Sequence, residues 1–185
     1  YACYQNQILV KFLYPNINIL LNREKFMQNN NSKIRLAINE PIKEYKANSK
    51  ERAKLKSKLH ELENEIYEIP IIIGGKEIYT NNTAECIKPH DHQQKLAKYH
   101  KAGENEVKLA IKASKEAWHS WSKMPLSERT KIFRKAAELL AGPWRDTINA
   151  ATMLNQSKNA YQAEIDAACE LIDFFNFNCQ YAEEI

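Results

Sequence analysis

A carboxylate on an apolar helix face is costly unless something pairs with it, and Glu164 is placed that way. It precedes Ala167, Ala168, Leu171, Phe174 and Phe175 by three, four, seven, ten and eleven residues, a spacing that puts all six on one side of an α-helix. Asp166, Glu170 and Asp173 fall on a separate polar stripe. A carboxylate on a packed face must be ion-paired or hydrogen-bonded. It could hold a cationic ligand group, pair with a neighbouring lysine, or complement the positive end of the helix dipole near a helix start. Spacing alone leaves the three roles open.

The remaining reactive side chains form no recognisable constellation. His90-Asp91-His92, with His100 nearby, lacks a further ligand group at a convincing spacing, so a polar turn is expected there and no metal. His60 and His119 sit among charges on helices and read as solvent-facing. Four cysteines, Cys3, Cys86, Cys169 and Cys179, are scattered without a CxxC pair, which suits reduced intracellular thiols. Cys169 and Cys179 lie in the last helix, where a small thiol packs well, and no histidine stands in a recognisable relation to either. No catalytic residue is therefore assigned. Nor is a nucleotide site: of the four glycines, at 74, 75, 103 and 142, none builds GxGxxG or a P-loop.

The elements that must position Glu164 are those of one globular domain, for which 185 residues at 44% hydrophobic content suffice. A net charge of +4, from 27 basic and 23 acidic residues mixed along the chain, offers no stripe for a phosphate backbone and argues against nucleic acid as a partner. No apolar run approaches the ~20 residues of a membrane span; Ile8 to Tyr14 contains Lys11 and stops at Pro15. Residues 1–33 form an unassigned leader, expected to be disordered. Poverty in acids suits a mitochondrial transit segment, but Arg and Ser enrichment is missing, and a truncated leader with Met27 as the start is the competing reading.

From Asn48 a helix is expected, with Asn48 and Glu51 at capping-box spacing, Leu55, Leu59, Leu62 and Ile66 inward, and Pro70 ending it. Ile69 to Ile73, Gly74-Gly75 and Lys76 to Thr80 read as a β-hairpin, since paired glycines supply positive φ. A second extended pair flanks Pro89 to Gln93. The helix from about Gly103 carries Val107, Ile111, Ser114, Trp118 and Trp121 on one face, whose aromatics should dominate its burial. After Pro125 comes a helix from about Ser127 with Ile132, Phe133, Ala136, Ala137 and Leu140 inward, ending at Gly142-Pro143. A shorter helix presents Trp144, Ile148, Ala151 and Leu154. The last helix, from about Ala160, is apolar over a wide arc from Ala168 to Tyr181 and should be buried on two sides.

The segment Leu126-Ser-Glu-Arg-Thr-Lys-Ile-Phe-Arg-Lys-Ala-Ala-Glu-Leu-Leu140 resembles the helix that aldehyde dehydrogenases carry ahead of their dinucleotide-binding core. Asn155-Gln-Ser-Lys158 is similar to that family's Glu-x-Gly-Lys turn, with Ser157 where glycine is usual. Ala163-Glu-Ile-Asp-Ala-Ala-Cys-Glu-Leu-Ile-Asp-Phe-Phe175 looks like the pyrroline-5-carboxylate dehydrogenase branch, and Asn39-Glu-Pro-Ile42, the hairpin and Lys98 to Trp121 follow in that branch's order. The resemblance covers about Ile34 to Ile185.

The resemblance implies an α/β fold of which this chain is a mostly helical piece with a small β-hairpin element, residues 34–185 being an incomplete N-terminal part of the cofactor-binding domain. It implies an NAD-dependent enzyme of proline degradation in the mitochondrial matrix, a homo-oligomer when complete, oxidising L-glutamate γ-semialdehyde to glutamate. A cysteine attacks the aldehyde, hydride leaves to NAD, and a glutamate-activated water hydrolyses the thioester, with an asparagine and a backbone amide as oxyanion hole. Those groups are expected beyond this chain, which alone should be inactive. Only Glu164 carries over, as a substrate-binding carboxylate near the α-ammonium. The alternative is a helical interaction module built from such a segment, docking through its last helix; an RNA-binding reading rests on charge alone.

Overall fold

A computed structural model describes residues 35–185 of the chain. The expected leader at 1–33, with Cys3 and Met27, lies outside the described residues. In chain order the elements are α1 (Lys50–Glu63), β1 (Tyr67–Ile69), β2 (Ile71–Ile73), β3 (Lys76–Ile78), β4 (Thr83–Lys88), β5 (Asp91–His100), α2 (Glu104–Trp121), α3 (Leu126–Ala141), α4 (Arg145–Gln156), α5 (Ala160–Ala163), a π-helical turn (Glu164–Cys169) and α6 (Glu170–Glu184). Residues 35–46 precede these as an irregular strap.

Local chemistry sets the boundaries. Ser49, not Asn48, caps α1: its hydroxyl accepts from the Arg52 amide at 3.3 Å. Asn48 is instead a left-handed residue at φ 64°, a conformation that asparagine tolerates and that turns the strap into the helix. The helix stops at Glu63, where the Asn64 side chain bonds the His60 carbonyl at 2.6 Å, so Ile66 falls beyond it and is exposed.

Pro70 splits the expected first strand in two. Tyr67–Ile69 runs parallel to the end of β5, and Ile71–Ile73 pairs antiparallel with Lys76–Ile78. Gly74 and Gly75 at φ 55° and 85° make the two-residue turn that only positive φ at both positions allows. The β4–β5 hairpin turns at Pro89-His90 and completes a three-stranded sheet in the order β1-β5-β4. The β portion thus contains both expected extended pairs together with the short β1, and the described residues are mostly helical.

Two apolar clusters hold the piece together, and α4 lies between them. Tyr45, Leu55, Leu62, Leu96, Ala150 and Leu154 join the strap, α1, β5 and α4. Ala137, Leu140, Ile148, Ala167, Ala168 and Ile172 join α3, α4 and the last helix. Burying a leucine or isoleucine such as Leu140 or Ile172 contributes about 1.5–3 kcal/mol. α4 is buried almost all round because it faces both clusters, so Thr147, Asn149 and Thr152 are buried beside its apolar residues.

Elsewhere the expected faces are open. No residue of α2 is buried and Trp118 is 62% exposed, because among the described residues α2 packs mainly on β2, where Gly74 lets the hairpin approach Ala113. Ile132 and Phe133 are also exposed, leaving Thr130, Ala137 and Leu140 as the buried line of α3. On the last helix Phe174 points outward. The π turn accounts for this: its extra residue advances the phase, so Ile172 and Cys179 follow Ala168 inward. No described helix is long and apolar enough to cross a membrane.

Candidate functional site

Glu164 opens the π turn at the end of a capped helical start. Asn159 and Gln162 form a reciprocal capping box, the Gln162 amide donating to Asn159 Oδ1 at 2.9 Å and the Asn159 amide to Gln162 Oε1 at 3.0 Å. One turn on, Glu164 enters the interior with no measurable exposure. Of the predicted face Ala167 and Ala168 are buried with Glu164 while Phe174 is exposed, and the requirement for partners stands.

Those partners converge from three elements: the strap, α4 and, through the Cys169 thiol 3.8 Å from Oε1, the π turn itself. The Lys43 amide donates to Oε1 at 2.7 Å and the Tyr45 hydroxyl to Oε2 at 2.8 Å, both from the strap. From α4, Arg145 Nη2 donates to Oε1 at 2.5 Å, with Nε at 3.1 Å, and Asn149 Nδ2 donates to Oε2 at 2.7 Å. Arg145, 1% exposed, also bonds Glu40 through Nη1 and the Pro41 carbonyl through Nη2 at 2.7 Å. Asn149 Nδ2 reaches the Tyr45 oxygen at 2.9 Å, while its buried Oδ1 has no hydrogen-bond partner.

Both oxygens of Glu164 are thus saturated by donors. Burial pushes its carboxyl up, but the Arg145 guanidinium, the Lys43 amide and the Tyr45 hydroxyl outweigh that and hold it below the usual carboxylate range. Tyr45 moves the other way, pushed up by burial and then by the anion it serves. Arg145 is opposed by burial yet raised by its two carboxylates. The ion set is Glu40, Arg145 and Glu164, two carboxylates against one guanidinium, so one negative charge is left over.

The strap is laid antiparallel along the last helix by a series of such bonds. Ala37 N donates to Gln180 Oε1 at 2.6 Å, Glu40 N to Asp173 Oδ1 at 2.7 Å, and Lys43 N to Glu164. Asp173, placed by spacing on a separate polar stripe, is a strap anchor; Asp166 pairs with Lys158 at 2.5 Å.

The other side chains of sequence interest are dispersed. His90 Nδ1 lies 2.8 Å from Ser157 Oγ, and buried His100 joins Thr80 to Glu68, so they serve different junctions. Among the described residues no group of three or more His, Cys, Asp or Glu could hold a metal. Cys169 and Cys179 are buried, and burial pushes the Cys169 thiol up to about 11, far from a thiolate nucleophile at neutral pH.

Sequence reasoning missed Arg145, Tyr45, Asn149 and Glu40. One signal was available: Arg145, Asn149 and Thr152 recur at i, i+4 and i+7, a polar line through a helix that also carries an apolar one.

Ser157 stands at φ 55° after α4, in the left-handed conformation that favours glycine, the residue usual in the turn that this segment resembles. A family model for the aldehyde dehydrogenase family matches residues 78–185, more than half the chain. The chain belongs to the aldehyde dehydrogenase family. Over 154 residues, 83% of the chain, it is 44% identical to delta-1-pyrroline-5-carboxylate dehydrogenase of Agaricus bisporus, and over 147 residues, 80% of the chain, 44% identical to the mitochondrial enzyme of that name from Danio rerio. It spans only 28% and 26% of those relatives. The crystal structure of the Mycobacterium tuberculosis Delta-pyrroline-5-carboxylate dehydrogenase bound with NAD superposes with a TM-score of 0.82 at 39% identity, covering 85% of this chain and 30% of that one. The described helices and strands are thus a portion of the α/β aldehyde dehydrogenase fold.

One turn of this aldehyde dehydrogenase portion is closed to a phosphate group. The strand-to-helix turn that contains a glycine, from β5 through Gly103 into α2, has its helix N-terminus taken by Glu106, whose Oε2 accepts from the Gly103 amide at 2.7 Å. A carboxylate there repels the phosphates that such an end could otherwise bind.

Proposed function

We propose that the chain is part of an NAD-dependent dehydrogenase that oxidises L-glutamate γ-semialdehyde to glutamate in proline degradation. The observation that carries this reading is 44% identity to a delta-1-pyrroline-5-carboxylate dehydrogenase over 154 residues. The nucleotide site, the thiol nucleophile and the oxyanion donors belong to the rest of that enzyme, and residues 34–185 are an incomplete part of its cofactor-binding domain. The Danio rerio and Homo sapiens relatives are mitochondrial, which supports a mitochondrial enzyme; its place in the matrix and its assembly from several copies are part of the proposal.

Glu164 contributes to substrate choice. With both oxygens engaged, it acts on the substrate's α-ammonium through charge and not through direct contact, the Glu40–Arg145–Glu164 set supplying the surplus negative charge. The test is an assay of the complete protein for NAD reduction with glutamate semialdehyde. Semialdehyde-dependent NADH formation, with none from the 185-residue chain alone, is expected. A complete protein that reduces NAD with simple aldehydes and not with the semialdehyde would reject the substrate. Glu164→Gln should raise the semialdehyde KM more than that of a simple aldehyde; equal effects would remove Glu164 from selection.

A second reading, a helical interaction module, draws on the exposure of Phe174 and Tyr181 on α6. An authentic stop after Ile185 with a stable folded product would favour it.

A further inference from the structure

Apart from the Cys169 thiol at 3.8 Å, every side-chain or amide donor that fixes Glu164 comes either from the strap or from α4, and one side chain, Arg145, touches both. Its guanidinium is buried, faces Glu40 on one edge and Glu164 on the other, and binds the Pro41 carbonyl between them. A guanidinium presents several donors in a rigid plane, so an orientation satisfied on three acceptors also fixes the acceptors relative to one another. Tyr45 closes the opposite side. It is buried, its backbone sits at φ 49°, a conformation costly for a bulky residue, and its hydroxyl meets Glu164 Oε2. Strain of that kind persists only where the surroundings over-determine it. Here the strap bonds to Asp173 and Gln180 and the packing of the Tyr45 ring among Leu55, Leu96 and Leu154 do so.

We infer that Arg145 and Tyr45 are positioning residues for semialdehyde selection, holding the Glu164 carboxylate ionised and in one orientation, and that the 35–46 strap is thereby part of the specificity apparatus. The inference rests on the reading of Glu164 as the carboxylate that favours the substrate's ammonium. Tyr45→Phe removes one donor and leaves the ring in place, which makes it the variant that folds. Arg145→Lys keeps the charge and loses the planar fork. Arg145→Gln loses both.

The experiment measures, in the complete enzyme, the ratio of the KM for glutamate semialdehyde to the KM for a simple aliphatic aldehyde, with Glu164→Gln alongside. Loss of one of the donors that fix the carboxylate should raise that ratio severalfold in Tyr45→Phe, and by less than Glu164→Gln raises it. It should rise further in Arg145→Gln, with Arg145→Lys between Arg145→Gln and wild type. The acid limb of the semialdehyde KM should also move to higher pH in Tyr45→Phe, because a donor that favours the carboxylate is gone; general loosening of the fold would not move it. If Glu164→Gln shifts the ratio and neither Tyr45→Phe nor Arg145→Lys does, the positioning inference is overturned and the reading of Glu164 stands. If Glu164→Gln leaves the ratio unchanged, that reading falls and this one with it. Should the arginine variants fail to fold, the ratio and the pH limb of Tyr45→Phe decide alone.

Discussion

Arg145→Met isolates what the buried ion set contributes to stability. Methionine keeps most of the aliphatic stem, so the change deletes the guanidinium and little packing. Glu40, with 21% of its side chain exposed, can turn to water when its partner goes, whereas Glu164 at 0% cannot. It is left as a buried anion holding the Lys43, Tyr45 and Asn149 donors and the weak Cys169 thiol contact. Breaking a buried pair on one side costs about 3–5 kcal/mol, most of it the stranded charge and not the lost attraction. Adding Glu164→Gln to Arg145→Met should therefore recover about 2 kcal/mol, making the double variant more stable than the single one. Urea unfolding followed by far-UV circular dichroism and by fluorescence, with the half-buried Trp144 beside the site, measures both midpoints, equal slopes confirming that the same unfolding is compared. A double variant no more stable than Arg145→Met would show that the loss is packing around α4 and would refute the stranded-charge argument.

The same carboxylate sets a pH dependence. The folded-state value of Glu164 is depressed, so its contribution is complete above the ordinary carboxylate pKa of about 4.3 and is lost as pH falls through the folded value. Stability measured in urea from neutral to acid pH should fall less steeply in Glu164→Gln than in wild type on that acid limb; parallel curves would exclude the linkage. Ser157→Gly should stabilise by about 0.5–1 kcal/mol, since it relieves a left-handed φ of 55° and forfeits only an exposed bond to His90. A lower urea midpoint would mean that the His90 contact matters more than the strain.

Much of the framework was legible because it is written in short-range patterns. The Gly74-Gly75 turn, the helix that follows Pro125 and the stop at Gly142-Pro143 depend on residues within a turn or two of one another, and each stands where it was expected. Ser49 displaced Asn48 as the cap because a single residue decides which side chain reaches the free amides. The faces of α2 and α3 were misjudged for a different reason. Helical spacing identifies an apolar stripe but not how much of it another element covers: Trp118 stays 62% exposed, and Phe133, although its ring meets Phe175 of α6 at 6.0 Å, is still exposed.

The burial of Glu164 followed from its spacing to Ala167 and Ala168, and family membership from the run around it and from the Leu126–Leu140 helix. What stands opposite Glu164 did not follow. Tyr45 lies 119 positions away along the chain and Arg145 lies 19, and each carries a polar group that by composition alone would be assigned to solvent. Periodicity records which way a side chain leaves its own backbone. Only the packing of strap, α4 and the π turn brings those backbones to hydrogen-bond distance, and the interior they share, closed to bulk solvent, makes Arg145 its necessary partner.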